Sequence, residues 1–314
     1  MSSLPDYTLR YIQYLDLMLL FGLPLFAWYG PASSTTSGDK QTPLSRCALT
    51  LALLIFGVLG LALAGIEFVR STAGIMGVVV SDLARDDLAW YLFDTPAGRA
   101  GRTRALLLVL LLAVLVWQSQ RAERPFPIRR VTLLAGLALV SLAWNGHAAS
   151  GEGVSGTVRL VAGMAHLLAA GGWIGAIFAL LILLVRHGKP AAGEGLHMLW
   201  QALHTFSRPG TVFVGVLVVT GIFHYGDLVG WSMAPLFHSR HGNLMLLKLA
   251  LFAVMLGLAA LHRWWLVPRL ESDIHSGAAS HAALHLRLSV TIEATIALLI
   301  LASVAVLGTL NHHG

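Results

Sequence analysis

Charged residues are scarce in this chain of 314 residues: only 11% are Asp, Glu, Lys or Arg, whereas 56% are hydrophobic. Soluble domains usually carry about 25% charged residues. The composition therefore excludes an ordinary soluble domain and predicts an integral protein of the lipid bilayer. The net charge of +6 does not indicate binding to nucleic acid, because the basic residues stand in loops between apolar runs, where they act as topology signals.

Cysteine is almost absent as well. The single Cys47 excludes an intramolecular disulfide framework and a multi-cysteine zinc or iron–sulfur site within one chain. The sequence also lacks a P-loop, a CxxC motif and an HExxH motif. We therefore expect a protein that is not an enzyme and that does not itself hydrolyse ATP.

Eight apolar segments are long enough to cross a membrane, since a span needs about 20 mostly apolar residues. None alternates as a strand does, so the sequence predicts an all-α polytopic membrane bundle. The stretch from Ser71 to Gly101, between spans two and three, is too polar to cross and predicts an interfacial or re-entrant helix. The predicted spans are residues 8–29, 47–69, 103–120, 131–149, 158–186, 205–229, 243–267 and 285–310.

The chain is predicted to form a single membrane domain over residues 1–314, with the first four spans in 8–149 and the last four in 158–310. The first span lacks a clear cleavage site and is expected to be retained rather than removed as a signal peptide. Most Lys and Arg residues fall in the inner loops if both termini lie outside. The positive-inside rule therefore favours that orientation.

Fourteen histidines are many for a chain so poor in polar residues, and several lie at membrane depth towards the outer side. His147 and His224 stand near the outer ends of spans four and six, and His166 is roughly 12 Å below the start of span five. Ionisable side chains inside a bilayer are costly, and they usually mark function. A hydrogen bond across helices is the simpler role for any one histidine, but three on one side favour a metal or cofactor.

The types of side chain in this outer group favour copper. Imidazole binds copper, zinc, iron and nickel, whereas thioether sulfur favours Cu(I), so methionines near the histidines point to Cu(I). Only neutral imidazole binds metal, so we expect capture to weaken as the pH falls through about 6.5. The predicted metal ligands are His147, Met164, His166, His224, Met233, His238 and His241.

Four further ionisable residues fall within predicted spans: Asp16, Glu67, Lys248 and Glu293. Lys248 either extends outward to the interface or pairs with Glu67 or Asp227. Glu293 either takes part in ion transit or proton coupling, or is a structural hydrogen-bonding partner, for instance of His262. The sequence leaves both choices open.

Several motifs in the second half occur in a characteristic order. Residues 204–226 read HTFSRPGTVFVGVLVVTGIFHYG, and after a loop residues 241–270 read HGNLMLLKLALFAVMLGLAALHRWWLVPRL. The FSR, TG, HG and LKL motifs and the R-x-x-x-VP-x-L exit resemble the core of the copper resistance protein D (CopD) family. GHAA at 146–149 and HLLAAGGWIG at 166–175 resemble the fourth and fifth spans of that family, and residues 8–30 resemble its first.

The resemblance implies a bacterial inner-membrane protein of eight helices that takes part in copper homeostasis. It would move copper from periplasm to cytoplasm, often beside a small periplasmic copper-binding protein of the CopC type. His147 and His166 stand inside matched motifs, whereas His224, Met233 and His238 rest on chemistry alone.

Two alternative functions stay open at this point. A haem-binding electron-transfer protein would use two histidines on facing helices as axial ligands. The histidines that offer such pairs are His147, His166, His224 and His262. A copper sensor or assembly scaffold would hold the ion without moving it.

Overall fold

A computed structural model describes residues 4–30, 46–121, 125–145, 153–187, 193–229, 240–266, 268 and 280–308. Within these ranges the chain forms nine α-helices and no strand, which confirms the predicted all-α class. The helices are α1 (Leu4–Tyr29), α2 (Arg46–Met76), α3 (Arg85–Asp94), α4 (Pro96–Ser119), α5 (Ile128–Val140), α6 (Gly153–His187), α7 (Gly193–Val229), α8 (Arg240–Leu261) and α9 (Ser280–Leu307).

Seven helices in the described part of the chain are long and apolar enough to cross a membrane. They are α1, α2, α4, α6, α7, α8 and α9, and they match every predicted span except the fourth. Helices α1 and α6 are the most buried of the seven, whereas α7 and α8 turn most of their surface outward. The core therefore lies around α1 and α6.

The predicted fourth span, residues 131–149, is not one continuous α-helix. Helix α5 ends at Val140, and a 3₁₀ helix continues from Ser141 to Asn145. At about 1.5 Å and 2.0 Å of rise per residue, the two pieces together reach roughly 30 Å, the thickness of the hydrocarbon core. The change coincides with Ser141, whose hydroxyl donates to the carbonyl of Ala138 (2.6 Å). Residues 146–149 lie outside the described residues.

The polar stretch between spans two and three contains a short helix, as predicted. Helix α2 extends beyond its predicted end, to Met76, and α4 begins early, at Pro96. Between them α3 has 10 residues, which is about 15 Å and too short to span a bilayer. Trp90 and Phe93 on α3 are exposed, which suits a helix at the membrane interface.

Helices α1 and α6 cross so closely that glycine is required at the contact. A Cβ atom on Gly22 would lie 2.2 Å from the carbonyl oxygen of Gly171, and one on Gly175 would lie 2.3 Å from the Cα of Gly22. Gly171 and Gly175 form a GxxxG motif, which lets two helix backbones meet in a membrane. Helix α1 also contacts α2, α5 and α9, so this crossing sets the position of the central helix.

A buried charged cluster joins α1, α2 and α4 to the 3₁₀ helix after α5. Arg104 on α4 is 0% exposed, and it donates to Glu67 Oε2 on α2 (2.6 Å) and to Ser141 Oγ (3.0 Å). Gln13 on α1 donates to the same Glu67 oxygen (2.8 Å). Buried charges are tolerated when they are paired and hydrogen-bonded. The cluster therefore fixes these segments relative to one another.

Replacing Gly175 by Val should prevent α1 and α6 from packing, because the added side chain would meet the Gly22 backbone at under 3 Å. We expect most of the protein to misfold, as measured by size-exclusion chromatography of a fluorescent fusion in detergent. Gly257→Val on α8 is the matched control, since a Cβ there meets nothing within 4 Å. A monodisperse Gly175→Val protein with an unchanged Tm would contradict the proposed crossing.

Replacing Arg104 by Met should leave the Glu67 carboxylate without its buried partner and lower the free energy of unfolding by about 3 kcal/mol. The double variant Arg104→Met, Glu67→Leu should regain most of this loss, because an apolar pair replaces the charged one. Thermal unfolding in detergent compares the two variants with Glu67→Leu alone. Additive losses in the double variant would show that the two side chains are not coupled.

Candidate functional site

Two of the predicted metal ligands, His166 on α6 and His224 on α7, are neighbours. Their ring centroids are 6.0 Å apart, and the ring planes are inclined at 80°. They meet because α6 and α7 pack side by side in opposite directions. An ion pair holds the two helices at the same end: Arg159 Nε and Nη2 contact Asp227 Oδ2 and Oδ1, each at 2.6 Å.

The surroundings of His166 fix which ring nitrogen carries hydrogen. Its Nδ1 lies 2.8 Å from the hydroxyl oxygen of Thr220 on α7. That hydroxyl has a single hydrogen, which it donates to the carbonyl of Val216 (2.5 Å). The hydroxyl is therefore the acceptor from His166, and Nδ1 is the protonated nitrogen. In the neutral ring the lone pair is then on Nε2, and a neutral ring so oriented is the form that binds a metal.

His224 is oriented in a similar way, by the backbone of Ala162 on α6, to which its ring is hydrogen-bonded. Lys248 on α8 lies within electrostatic range of both imidazoles. Met245 and His241 precede Lys248 by three and seven residues, so their helical positions share its side of α8. Thr220, Lys248 and Met245 were not among the predicted site residues. Thr220 stands four residues before His224, and this spacing is the sequence signal that could have identified Thr220.

The structure brings the predicted ligands together only in part. Met164 lies two residues before His166, about 200° around α6, and so occupies a different face of the helix. His241 stands in the first turn of α8. Within the described residues no group of three or more His, Cys, Asp or Glu is placed to hold a metal ion. The remaining predicted ligands lie outside the described residues: His147, Met233 and His238.

A second polar cluster, formed by His262, Ser289 and Glu293, lies beyond the other end of α8. Nε2 of His262 lies 2.6 Å from Ser289 Oγ, and its Nδ1 lies 3.1 Å from Glu293 Oε1, both on α9. Glu293 therefore contacts His262, as one of its two predicted roles requires, while a role of Glu293 in ion transit or proton coupling stays a prediction. Both ring nitrogens of His262 face oxygen atoms, so this histidine has no nitrogen directed at a haem iron.

Of the two alternatives for Lys248, pairing with Glu67 or Asp227 is not found among the described residues. Glu67 pairs with Arg104, and Asp227 pairs with Arg159. A guanidinium can bind both oxygens of a carboxylate at once, and this explains why Asp227 takes the arginine. From the sequence alone, Arg104 and Arg159 are interpreted as topology signals at the ends of spans. In the structure Arg104 is fully buried.

Two family models match the chain. One is described as the N-terminal domain of copper resistance protein D-like proteins and matches residues 1–157. The other is described as copper resistance protein D and matches residues 200–307. Most of α6, including His166, lies between the two matched regions.

Relatives from three bacteria match long parts of the chain. Copper resistance protein D of Pseudomonas syringae pv. tomato is 32% identical over 96% of this chain and 95% of that protein. Inner membrane protein YebZ of Escherichia coli (strain K12) is 26% identical over 84% of this chain and 85% of that protein. Copper transport protein CutJ of Bacillus subtilis (strain 168) is 30% identical over 81% of this chain and 45% of that protein.

No solved structure matches the chain. The Pseudomonas relative nevertheless covers 96% of the chain, and the second family model includes the spans that carry the FSR, TG and LKL motifs. The protein is therefore a member of the copper resistance protein D family.

Proposed function

We propose that this protein moves copper across the membrane and takes up Cu(I) at the end of the bundle that holds His166 and His224. The single observation that carries the proposal is this pair of imidazoles, each oriented by a hydrogen bond to the facing helix. The names of two relatives, copper resistance protein D and copper transport protein CutJ, support copper as the ion. No catalytic step is part of the proposal.

The separation of the two rings suits a bound ion. A metal held between two imidazole nitrogens at about 2 Å from each places the ring centroids roughly 6 Å apart, in agreement with 6.0 Å between His166 and His224. Copper accepts imidazole nitrogen, and thioether sulfur favours its reduced form. A copper ion bound by these two imidazoles could accept further ligands.

Those ligands would come from the segments that connect to this end of the bundle. Residue 147 precedes α6, and residues 233 and 238 lie between α7 and α8. We propose that His147 completes the capture site and that the loop methionine and histidines form a labile outer binding segment. Met233, His238 and His241 make up that segment.

The orientation follows from the charge distribution. We propose a location in the bacterial inner membrane with both termini in the periplasm, as the positive-inside rule favours. The histidine pair would then lie towards the periplasm, where a copper-binding protein of the CopC type could deliver the ion. Copper would leave the capture site towards the cytoplasm.

The first experiment counts copper and iron together in detergent-purified protein after exposure to Cu(I) and washing. We expect near-stoichiometric copper in the wild type and a large loss in His166→Ala and in His224→Ala, because each removes one of two oriented ligands. His285→Ala on α9, an exposed histidine, is the matched control and should keep the metal.

Other outcomes would overturn parts of the proposal. Unchanged copper affinity in both histidine variants would refute the assigned site. Near-stoichiometric iron with a Soret absorption band would favour a haem protein instead. Copper bound by purified protein but not taken up by proteoliposomes would identify a sensor or scaffold rather than a transporter.

Lys248 should weaken copper binding, because a positive charge close to the imidazoles repels the ion. Lys248→Met should therefore tighten Cu(I) binding by about tenfold, equivalent to roughly 1.4 kcal/mol, while Lys248→Arg should leave it weak. Competition with a calibrated Cu(I) chelator measures both affinities. Equal affinities for the Met and Arg variants would show that the charge of Lys248 does not act on the site.

A further inference from the structure

We propose that Asp16 is a proton-binding site in the interior of the bundle, and that proton uptake there accompanies copper movement. The coupling to copper rests on the function proposed above, whereas the proton site stands on its own observations. Asp16 on α1 is 2% exposed, and neither of its carboxylate oxygens has a hydrogen-bond partner among the described residues. It lies about 18 Å along α1 from Leu4, at 1.5 Å per residue, well inside the hydrocarbon thickness.

The immediate surroundings of Asp16 favour a neutral carboxyl group. A Cβ atom on Gly60 of α2 would lie 2.6 Å from Asp16 Oδ2 and 3.4 Å from a methyl group of Leu108 on α4. The carboxyl group therefore lies against the bare backbone of α2 at Gly60, next to which Leu108 also packs. A carboxylate buried without a compensating partner is very unfavourable, and taking up a proton removes its charge. The ligand that this site fits is thus a proton.

Polar side chains lead from Asp16 towards the end of the bundle at Leu4. Gln13 lies one turn before Asp16 on α1 and donates to Glu67, which also binds Arg104. Chains of acidic and other polar side chains across membrane segments are typical of proton relays. These polar groups stand about one turn from Asp16, between it and the surface at the Leu4 end.

A second ion pair, between Arg70 and Asp6, extends this series of polar side chains to the surface. Arg70 follows Glu67 by three residues, on the same side of α2, and it pairs with Asp6 in the first turns of α1. Both partners are more than one third exposed. Polar and charged side chains, among them the carboxylates of Asp6 and Glu67, therefore extend from the Leu4 end of the bundle to the level of Gln13.

This series of polar side chains and the histidine pair lie at the same end of the bundle. A Cβ atom on Gly171 would lie 3.7 Å from the Cα of Met18, and Gly175 meets Gly22, so α1 and α6 run parallel. This register places His166 level with Gln13 and about one turn above Asp16. A proton and a copper ion entering from the same end would reach neighbouring levels of the bundle.

Within the described residues no cation forms an ion pair with Asp16. Arg104, on the neighbouring α4, forms its ion pair with Glu67. Other charged or titratable groups on the helices around Asp16 stand at different levels. The nearest along each helix are Tyr14 on α1, Glu67 on α2, Arg104 on α4, Arg130 on α5, His166 on α6 and Glu293 on α9.

Infrared spectroscopy of the full-length protein in lipid tests the proton site without copper. The wild type should show the C=O stretch of a protonated carboxyl group at neutral pH, and this band should shift in D₂O. Asp16→Asn keeps the shape of the side chain but cannot take up a proton, so the band should be lost. Asp86→Asn, an exposed carboxylate on α3, is the matched control and should keep it.

Two results would overturn the proton site. One is a wild-type spectrum at neutral pH without a protonated carboxyl band, and the other is a band that persists unchanged in Asp16→Asn. Because the wild-type spectrum suffices for the first, the test does not depend on whether the variant folds.

The coupling has a separate readout. In a weakly buffered suspension of proteoliposomes, a pH-sensitive dye should report proton uptake on addition of Cu(I) to the wild type but not to Asp16→Asn. Copper uptake without proton movement would refute the coupling while leaving the proton site intact. Absence of copper uptake in the wild type would refute the proposed transport function, and the infrared result would still decide the proton site.

Discussion

The contact between the bare backbones of α1 and α6 is the constraint on which the other arrangements depend. Because Gly22, Gly171 and Gly175 leave no side chain between the helices, α1 lies deep in the bundle with α2, α5 and α9 around it. That position encloses Gln13 and Asp16 on all sides. The same contact aligns α6 with α1, and this alignment places His166 level with Gln13 and about one turn from Asp16.

Polar groups in this bundle are arranged by helix pairs rather than by a single cavity. The pair α6 and α7 orients two imidazoles, the pair α2 and α4 encloses Arg104 with Glu67, and the pair α8 and α9 holds His262 against Ser289 and Glu293. In each case one helix supplies the group that is costly to bury and the other supplies its partner. Such reciprocal arrangements give each of these groups at least one polar partner in a medium that offers no water.

The sequence was sufficient for the long spans and the family, but not for the pairing of charges. Runs of Leu and Ala identify a span whatever its neighbours are, and so seven predicted spans match long helices. The break after Val140 and the burial of Arg104 depend on which side chains face each other. That in turn depends on the register set by the α1–α6 crossing, and the GxxxG motif of α6 does not by itself reveal which helix it meets. The depth of His166 likewise predicted a functional role for this residue but did not identify Thr220 as its hydrogen-bond partner.

The outward-facing position of α8 has a consequence for the site beside it. Helix α8 is the least buried of the described spans, yet it carries Lys248, which lies within electrostatic range of both imidazoles. A helix surrounded mainly by lipid adjusts its tilt and height to the thickness of the hydrocarbon layer. A bilayer of different thickness is therefore expected to change the distance between Lys248 and the two imidazoles.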